Sequence, residues 1–293
     1  MMRRLLPVIA AISLLGVAGC STATNDARDD TTIAQATDVV AATTTLAANA
    51  PAAEQDGNAL VPPGFESITT VDGRVRSYQV VDLSNGELAP LLFVLHGFGG
   101  TAEMINTYSG FDQSLADLYD LHPVVVYPNG IGAEDGLPQS WNAGGCCPFA
   151  TFNLVDDVAF FDQLITELIA SYDIDPKRIW AVGHSNGGMM AYRLACELSS
   201  RITAIGVAAG AMMIDSCSPT RPVAALHLHG GLDTVVPLTG GEIAGIVFPS
   251  AQSSVDAFER NGNGTARLVT SPSWPHDWQP EWSALFAEFL ATQ

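Results

Sequence analysis

The chain has 293 residues, a length that allows one or two domains, and 47% of them are hydrophobic. Its 31 acidic side chains against 12 basic ones give a formal net charge of -19 at pH 7, with Lys177 the single lysine. That balance argues against nucleic acid or an anionic membrane surface as a partner, since both repel a polyanion.

In chain order, Met1 to Arg4 form a short basic head and Leu5 to Val17 an apolar stretch too short to span a membrane comfortably. Together they read as an export leader. Its end, Val17-Ala18-Gly19-Cys20, resembles the lipobox of bacterial lipoproteins. That resemblance implies cleavage before Cys20 and lipid on its thiol, so the expected location is the cell envelope, with membrane contact only through that anchor. Residues 21–60 are rich in Ala, Thr and Asp, without an aromatic residue or apolar periodicity. Such a segment buries too little surface to offset its ordering entropy and is expected to be a disordered tether. The folded domain is expected over 61–293.

Within that domain short apolar runs alternate with amphipathic stretches. Val75 to Val81 and Leu91 to Leu95 read as strands, Phe111 to Tyr119 as a helix and Val124 to Tyr127 as a strand. Val155 to Tyr172 reads as a long helix that Asp156 caps and Asp157 supports in its first turn. Ile179 to Val182 is a strand, Gly188 to Leu198 a helix, and Ala204 to Ala208 and Val223 to Leu228 are strands. Ala266 to Val269 is the last apolar run, and Glu281 to Leu290 is a terminal helix with apolar residues at helical spacing. This alternation predicts an α/β fold, a mostly parallel central sheet with helices on both faces. In such folds the chemistry gathers at the carboxyl ends of the strands.

Four cysteines follow Cys20: Cys146, Cys147, Cys196 and Cys217. In an exported protein an even number favours disulfides. Adjacent cysteines seldom pair, so Cys146 and Cys147 are expected to bond with Cys196 and Cys217, with the connectivity open. Their spacing lacks a metal-ligand pattern, so no metal site is expected.

The pentapeptide Gly183-His184-Ser185-Asn186-Gly187 lies between a predicted strand and a predicted helix. A serine between glycines at this spacing is the nucleophile elbow of an α/β-hydrolase, where a tight turn strains the serine and exposes its hydroxyl beside a helix N-terminus. Such a serine needs a base, and the base an orienting acid, in the chain order Ser, Asp or Glu, His. Of the three histidines after Ser185, His227 and His229 fall on a predicted strand, which leaves His276 in a loop before the terminal helix. Asp233, just beyond a strand, is the matching acid. Candidate oxyanion donors are the amides of Asn186 and Phe98, the latter in His96-Gly97-Phe98-Gly99-Gly100. Trp141 and Asn142 suit an aromatic or polyester chain and, with His184, are candidate substrate contacts.

Taken together, Leu95 to Gly100, Trp141 to Cys147, Val155 to Phe160, Gly183 to Met190 and His229 to Asp233 resemble the polyhydroxybutyrate depolymerase and feruloyl esterase group of α/β-hydrolases, relatives of carbohydrate esterase type 1. The resemblance spans about Arg76 to Leu290. It implies ester hydrolysis without a cofactor, on polyhydroxyalkanoate or on feruloyl or acetyl groups of polysaccharide. Pro272 stands where many members have a histidine, and the tail His276-Asp277-Trp278 instead resembles feruloyl esterase and mycolyltransferase-like relatives. Acyl transfer and a non-catalytic surface lipoprotein are the competing expectations.

Overall fold

The computed structural model describes residues 64–119, 121–133, 136, 138–261 and 264–293. The leader, the lipidation candidate Cys20, the tether and residues 61–63 lie outside the described residues. The chain enters through β1 (Glu66–Thr69), β2 (Val75–Asp82) and β3 (Ala89–Leu95), followed by α1 (Ala102–Ser109), α2 (Phe111–Tyr119) and β4 (Val124–Pro128). Next come α3 (Asp157–Ser171), β5 (Ile174–His184), α4 (Asn186–Glu197), β6 (Ala204–Ala208) and β7 (Ala224–Gly230). A small hairpin, β8 (Gly241–Ile243) and β9 (Ile246–Phe248), precedes α5 (Ala251–Arg260), β10 (Ala266–Ser271) and α6 (Trp282–Leu290).

The main sheet has eight strands in the order β1-β2-β4-β3-β5-β6-β7-β10. From β4 to β10 every pairing is parallel, whereas β2 pairs antiparallel with both β1 and β4. The period-two alternation of a strand divides the core. Leu91, Phe93 and Leu95 point to a layer built with Phe160, Leu164, Met189 and Phe258 of α3, α4 and α5. Leu92 and Val94 point to the opposite layer, with Ile105, Phe111 and Phe286 of α1, α2 and α6. Burial on both faces explains why these strands read as unbroken apolar runs. Because β3, β5, β7 and β10 run in one direction, the segments leaving them emerge along one edge of the sheet, the edge that bears the site.

The sulfurs pair differently from the sequence expectation. Cys196, at the end of α4, bonds to Cys217, and the adjacent Cys146 and Cys147 bond to each other across a cis peptide. Cys217 lies beside the last turn of α4, with Cα atoms 4.9 Å apart, which leaves Cys146 and Cys147 only one another. Asp156 caps α3 as expected, its carboxylate accepting from the Ala159 amide at 3.0 Å. Asp157 does more than favour the first turn: it is fully buried and paired with Arg76 of β2 at 2.9 Å.

Candidate active site

Ser185 sits at the junction of β5 and α4 with φ 54° and ψ -118°, a left-handed conformation that a residue with a Cβ adopts only under constraint. The glycines on either side provide the constraint. A Cβ on Gly183 would lie 2.2 Å from the Gly187 carbonyl carbon, and one on Gly187 would lie 2.4 Å from the Leu95 carbonyl oxygen. The Ser185 amide is anchored on the Ala208 carbonyl at 2.7 Å. The serine thus lies at the floor of an open cavity of about 440 Å³, lined also by Gly97 to Gly100, Met104, Tyr108, His184, His276, Asp277 and Trp278.

His276 follows β10 and faces Asp233, which follows β7: Nδ1 lies 2.8 Å from Asp233 Oδ2. This leaves Nε2 as the ring nitrogen not engaged by the acid. Asp233 is itself held by four donors, with Oδ1 accepting from the amides of Val235 and Val236 at 2.9 and 2.8 Å. On Oδ2, His229 Nε2 joins His276 at 3.3 Å, its N–H shared with the Val236 carbonyl at 2.8 Å. Burial alone would raise the Asp233 pKa, but the hydrogen bonds from His229 and His276 and the charge of His276 outweigh it and hold the carboxyl well below its usual range.

The loop carrying His276 is fixed from below. His184 Nε2 lies 2.7 Å from the His276 carbonyl, so it carries the proton and donates. His184 Nδ1 lies 3.4 Å from the Tyr108 hydroxyl. Trp278 packs against Tyr108, His184 and Phe111 and donates to Ser283 Oγ at 3.1 Å. His184 is therefore a brace for the loop that carries His276 as well as a residue of the cavity wall.

Across the cavity the turn after β3 is pinned by His96, which is fully buried. Its Nδ1 donates to the Gly97 carbonyl at 2.7 Å and its Nε2 accepts from the Gly130 amide at 3.0 Å. The Gly99 and Gly100 amides are spent on Gln139 and Gly97 carbonyls. Among the described residues the Phe98 amide meets no protein acceptor, and its side chain is half exposed at the rim. Asn186 is buried, and its side chain clamps the preceding loop: Oδ1 accepts from the Trp141 amide at 2.8 Å and Nδ2 donates to the Trp141 carbonyl at 3.2 Å.

That clamp corrects one sequence expectation. Trp141 and Asn142 are not in the cavity wall; both are buried beneath it. Trp141 Nε1 donates to the His96 carbonyl and Asn142 N to Asp157, so these residues build the scaffold of the turn after β3 and of the α3 start. Tyr108, Met104 and Trp278 take their place. Among the described residues no group of three or more His, Cys, Asp or Glu could hold a metal ion.

Two imidazoles here stay uncharged in the fold. Burial, aided by the charge of His276, pushes His184 down to about 4, and burial likewise pushes His96 down to about 4. The unfolded chain binds these protons near pH 6.5 whereas the native state refuses them until about 4. Stability should therefore fall as pH drops from about 6.5 towards 4, by about 1.4 kcal/mol per pH unit for each of the two. Urea unfolding at stepped pH checks this: His96→Asn should flatten the slope by close to one proton, and an unchanged slope would exclude His96 as a source.

The chain is similar to proteins named as esterases. Over 158 residues it is 35% identical to feruloyl esterase B of Piromyces equi, covering 52% of this chain and 28% of that protein. It is 32% identical over 152 residues to feruloyl esterase C of Emericella nidulans, covering 52% and 51%. The chain thus spans about half or less of the length of these relatives. Among solved structures, a carboxylesterase from Mesorhizobium loti superposes with a TM-score of 0.58 at 17% identity, over 78% of this chain and all of that one, a likeness of fold. Residues 91–292 match the alpha/beta hydrolase family, and with the sheet order and the elbow at Ser185 this places the chain in that family.

Proposed function

We propose that the chain is an exported serine carboxylesterase, with Ser185 as nucleophile, His276 as base and Asp233 as orienting acid. The observation that carries this is the 2.8 Å contact between His276 Nδ1 and Asp233 Oδ2 at the cavity that the strained Ser185 lines. In this reading Ser185 Oγ attacks an ester carbonyl while His276 Nε2 takes its proton. Asp233 keeps the other proton on Nδ1 and stabilises the imidazolium. The carbonyl oxygen, now an anion, is received by the amides of Phe98 and Asn186. Collapse expels the alcohol, protonated by His276, and water repeats the sequence on the acyl-enzyme.

The relatives named feruloyl esterases and the apolar wall of Phe98, Met104, Tyr108 and Trp278 support a feruloyl or acetyl ester of polysaccharide, with polyhydroxyalkanoate oligomers as the other substrate of this class. No cofactor enters any step. Two disulfides fit an oxidising compartment and hence export, with the anchor at Cys20 as its proposed form.

The test is chemical. A fluorophosphonate should label the purified protein once, on the peptide containing Ser185, and abolish its hydrolysis of p-nitrophenyl acetate in proportion. Methyl ferulate and hydroxybutyrate oligomers then sort the acyl group. A folded protein that neither turns over the ester nor takes the label would bring forward the binding-protein alternative, and a label on another residue would displace Ser185.

A further inference from the structure

Beneath Asp233 runs a chain of buried polar side chains that the triad does not use. The Tyr192 hydroxyl, on α4, lies 2.9 Å from His227 Nδ1. His227 Nε2 lies 3.0 Å from His229 Nδ1, both on β7. His229 Nε2 lies 2.8 Å from the Val236 carbonyl and 3.3 Å from Asp233 Oδ2. Tyr192, His227 and His229 are all fully buried.

The chemistry of the last contact sets the direction of all the others. A carbonyl and a carboxylate only accept, so His229 Nε2 must carry a proton. With one proton on each ring, the contacts are satisfied in one arrangement. His229 Nδ1 is bare and accepts from His227 Nε2–H, and His227 Nδ1 is bare and accepts from Tyr192 O–H. Burial, helped by the neighbouring His229, holds His227 well below its usual pKa and so keeps it uncharged, against the pull of the nearby Gly210 carbonyl. Every donor in the row points towards the acid.

Resting on the triad reading above, we propose that His229 is a positioning residue for Asp233. Locked as its Nε2–H tautomer by His227 and Tyr192, it supplies the second side-chain donor to Oδ2 and fixes the carboxylate where His276 needs it. The donor also withdraws negative charge from the oxygen that His276 touches. Its loss should therefore leave that oxygen more basic and His276 easier to protonate. The groups facing Asp233 are His276 from the loop after β10 and His229 from β7. Those facing His276 are Asp233, His184 at the end of β5 and the neighbouring Asp277.

The direction of the pH effect separates this role from mere packing. With His229→Leu, kcat should fall about 10- to 100-fold, the weight of one hydrogen bond to a charged group, with KM nearly unchanged. The acid limb of kcat/KM should move to higher pH by about half a unit or more. A packing defect that let Asp233 drift away would move the limb to lower pH. His229→Gln, which keeps a donor near Nε2, should restore both the rate and the limb; failure to do so, or a limb that stays or moves down, overturns the proposal. Should His229→Leu not fold, nitrogen-15 shifts of the histidines in the wild-type protein read the tautomer directly. A proton on His229 Nε2 with bare Nδ1 at pH 7 supports the proposal, and a proton on Nδ1 overturns it. Ser185→Ala at the wild-type rate would refute the triad instead, and the nitrogen shifts would report on His229 regardless.

Discussion

Asp233→Asn is expected to lower kcat by about 10⁴-fold while changing KM by no more than a few-fold. The reason lies in the four donors around the carboxylate. Val235 N, Val236 N and His276 Nδ1 point at an acceptor-only group, and His229 Nε2–H is shared between it and the Val236 carbonyl. An amide of the same shape can give the two backbone donors its oxygen, but its NH₂ then faces two imidazole N–H groups. His276 relieves that clash by moving its proton to Nε2, the nitrogen that must be bare to deprotonate Ser185. The variant would bind ester and hold its fold, yet lack a base. Steady-state kinetics on p-nitrophenyl acetate with a circular-dichroism control check this. A loss below about 10-fold would mean that another group orients His276.

Residues whose role is local were legible in the sequence. The strands after Leu91, Val124 and Ala204, the α2 helix, and Ser185 between its glycines follow from apolar runs and from steric demands within a few residues. The positions of Asp233 and His276 followed from chain order, since parallel strands deliver their ends to one edge. Elements with weak local signals were missed. Helix α1 buries only Ala102, Ile105 and Ser109, so its Tyr108 was not seen as part of the cavity. Helix α5 is polar on most of its surface, and the β8–β9 hairpin turns through Ala244 and Gly245, both at positive φ, without the Asn-Gly pair that usually announces such a turn. Trp141 and Asn142 were misread because their partners, His96, Asp157 and Asn186, are distant in sequence. The Cys146–Cys147 bond escaped for the same reason, since it depends on where α4 carries Cys196.

Breaking the Arg76–Asp157 pair should cost about 3–5 kcal/mol of folding stability, the usual result of leaving one buried charge without its partner. The side chains are 1% and 0% exposed, and the guanidinium sits 4.0 Å above the Phe160 ring, so water cannot replace the missing carboxylate. Asp157→Ala should therefore unfold at markedly lower urea than Arg76→Met/Asp157→Leu, which removes both charges and should recover about 2 kcal/mol or more of the loss. Activity should not recover in parallel. Asp157 Oδ2 also accepts the Asn142 amide at 2.7 Å, and the adjoining Trp141 amide is bonded to the Asn186 side chain, whose backbone N–H is the proposed oxyanion donor. In the double variant the Asn142 amide has no acceptor, the loop is free to shift, and kcat stays low with stability largely restored. Stability and rate that return together would mean that the pair serves packing alone and that Asn186 is positioned without it.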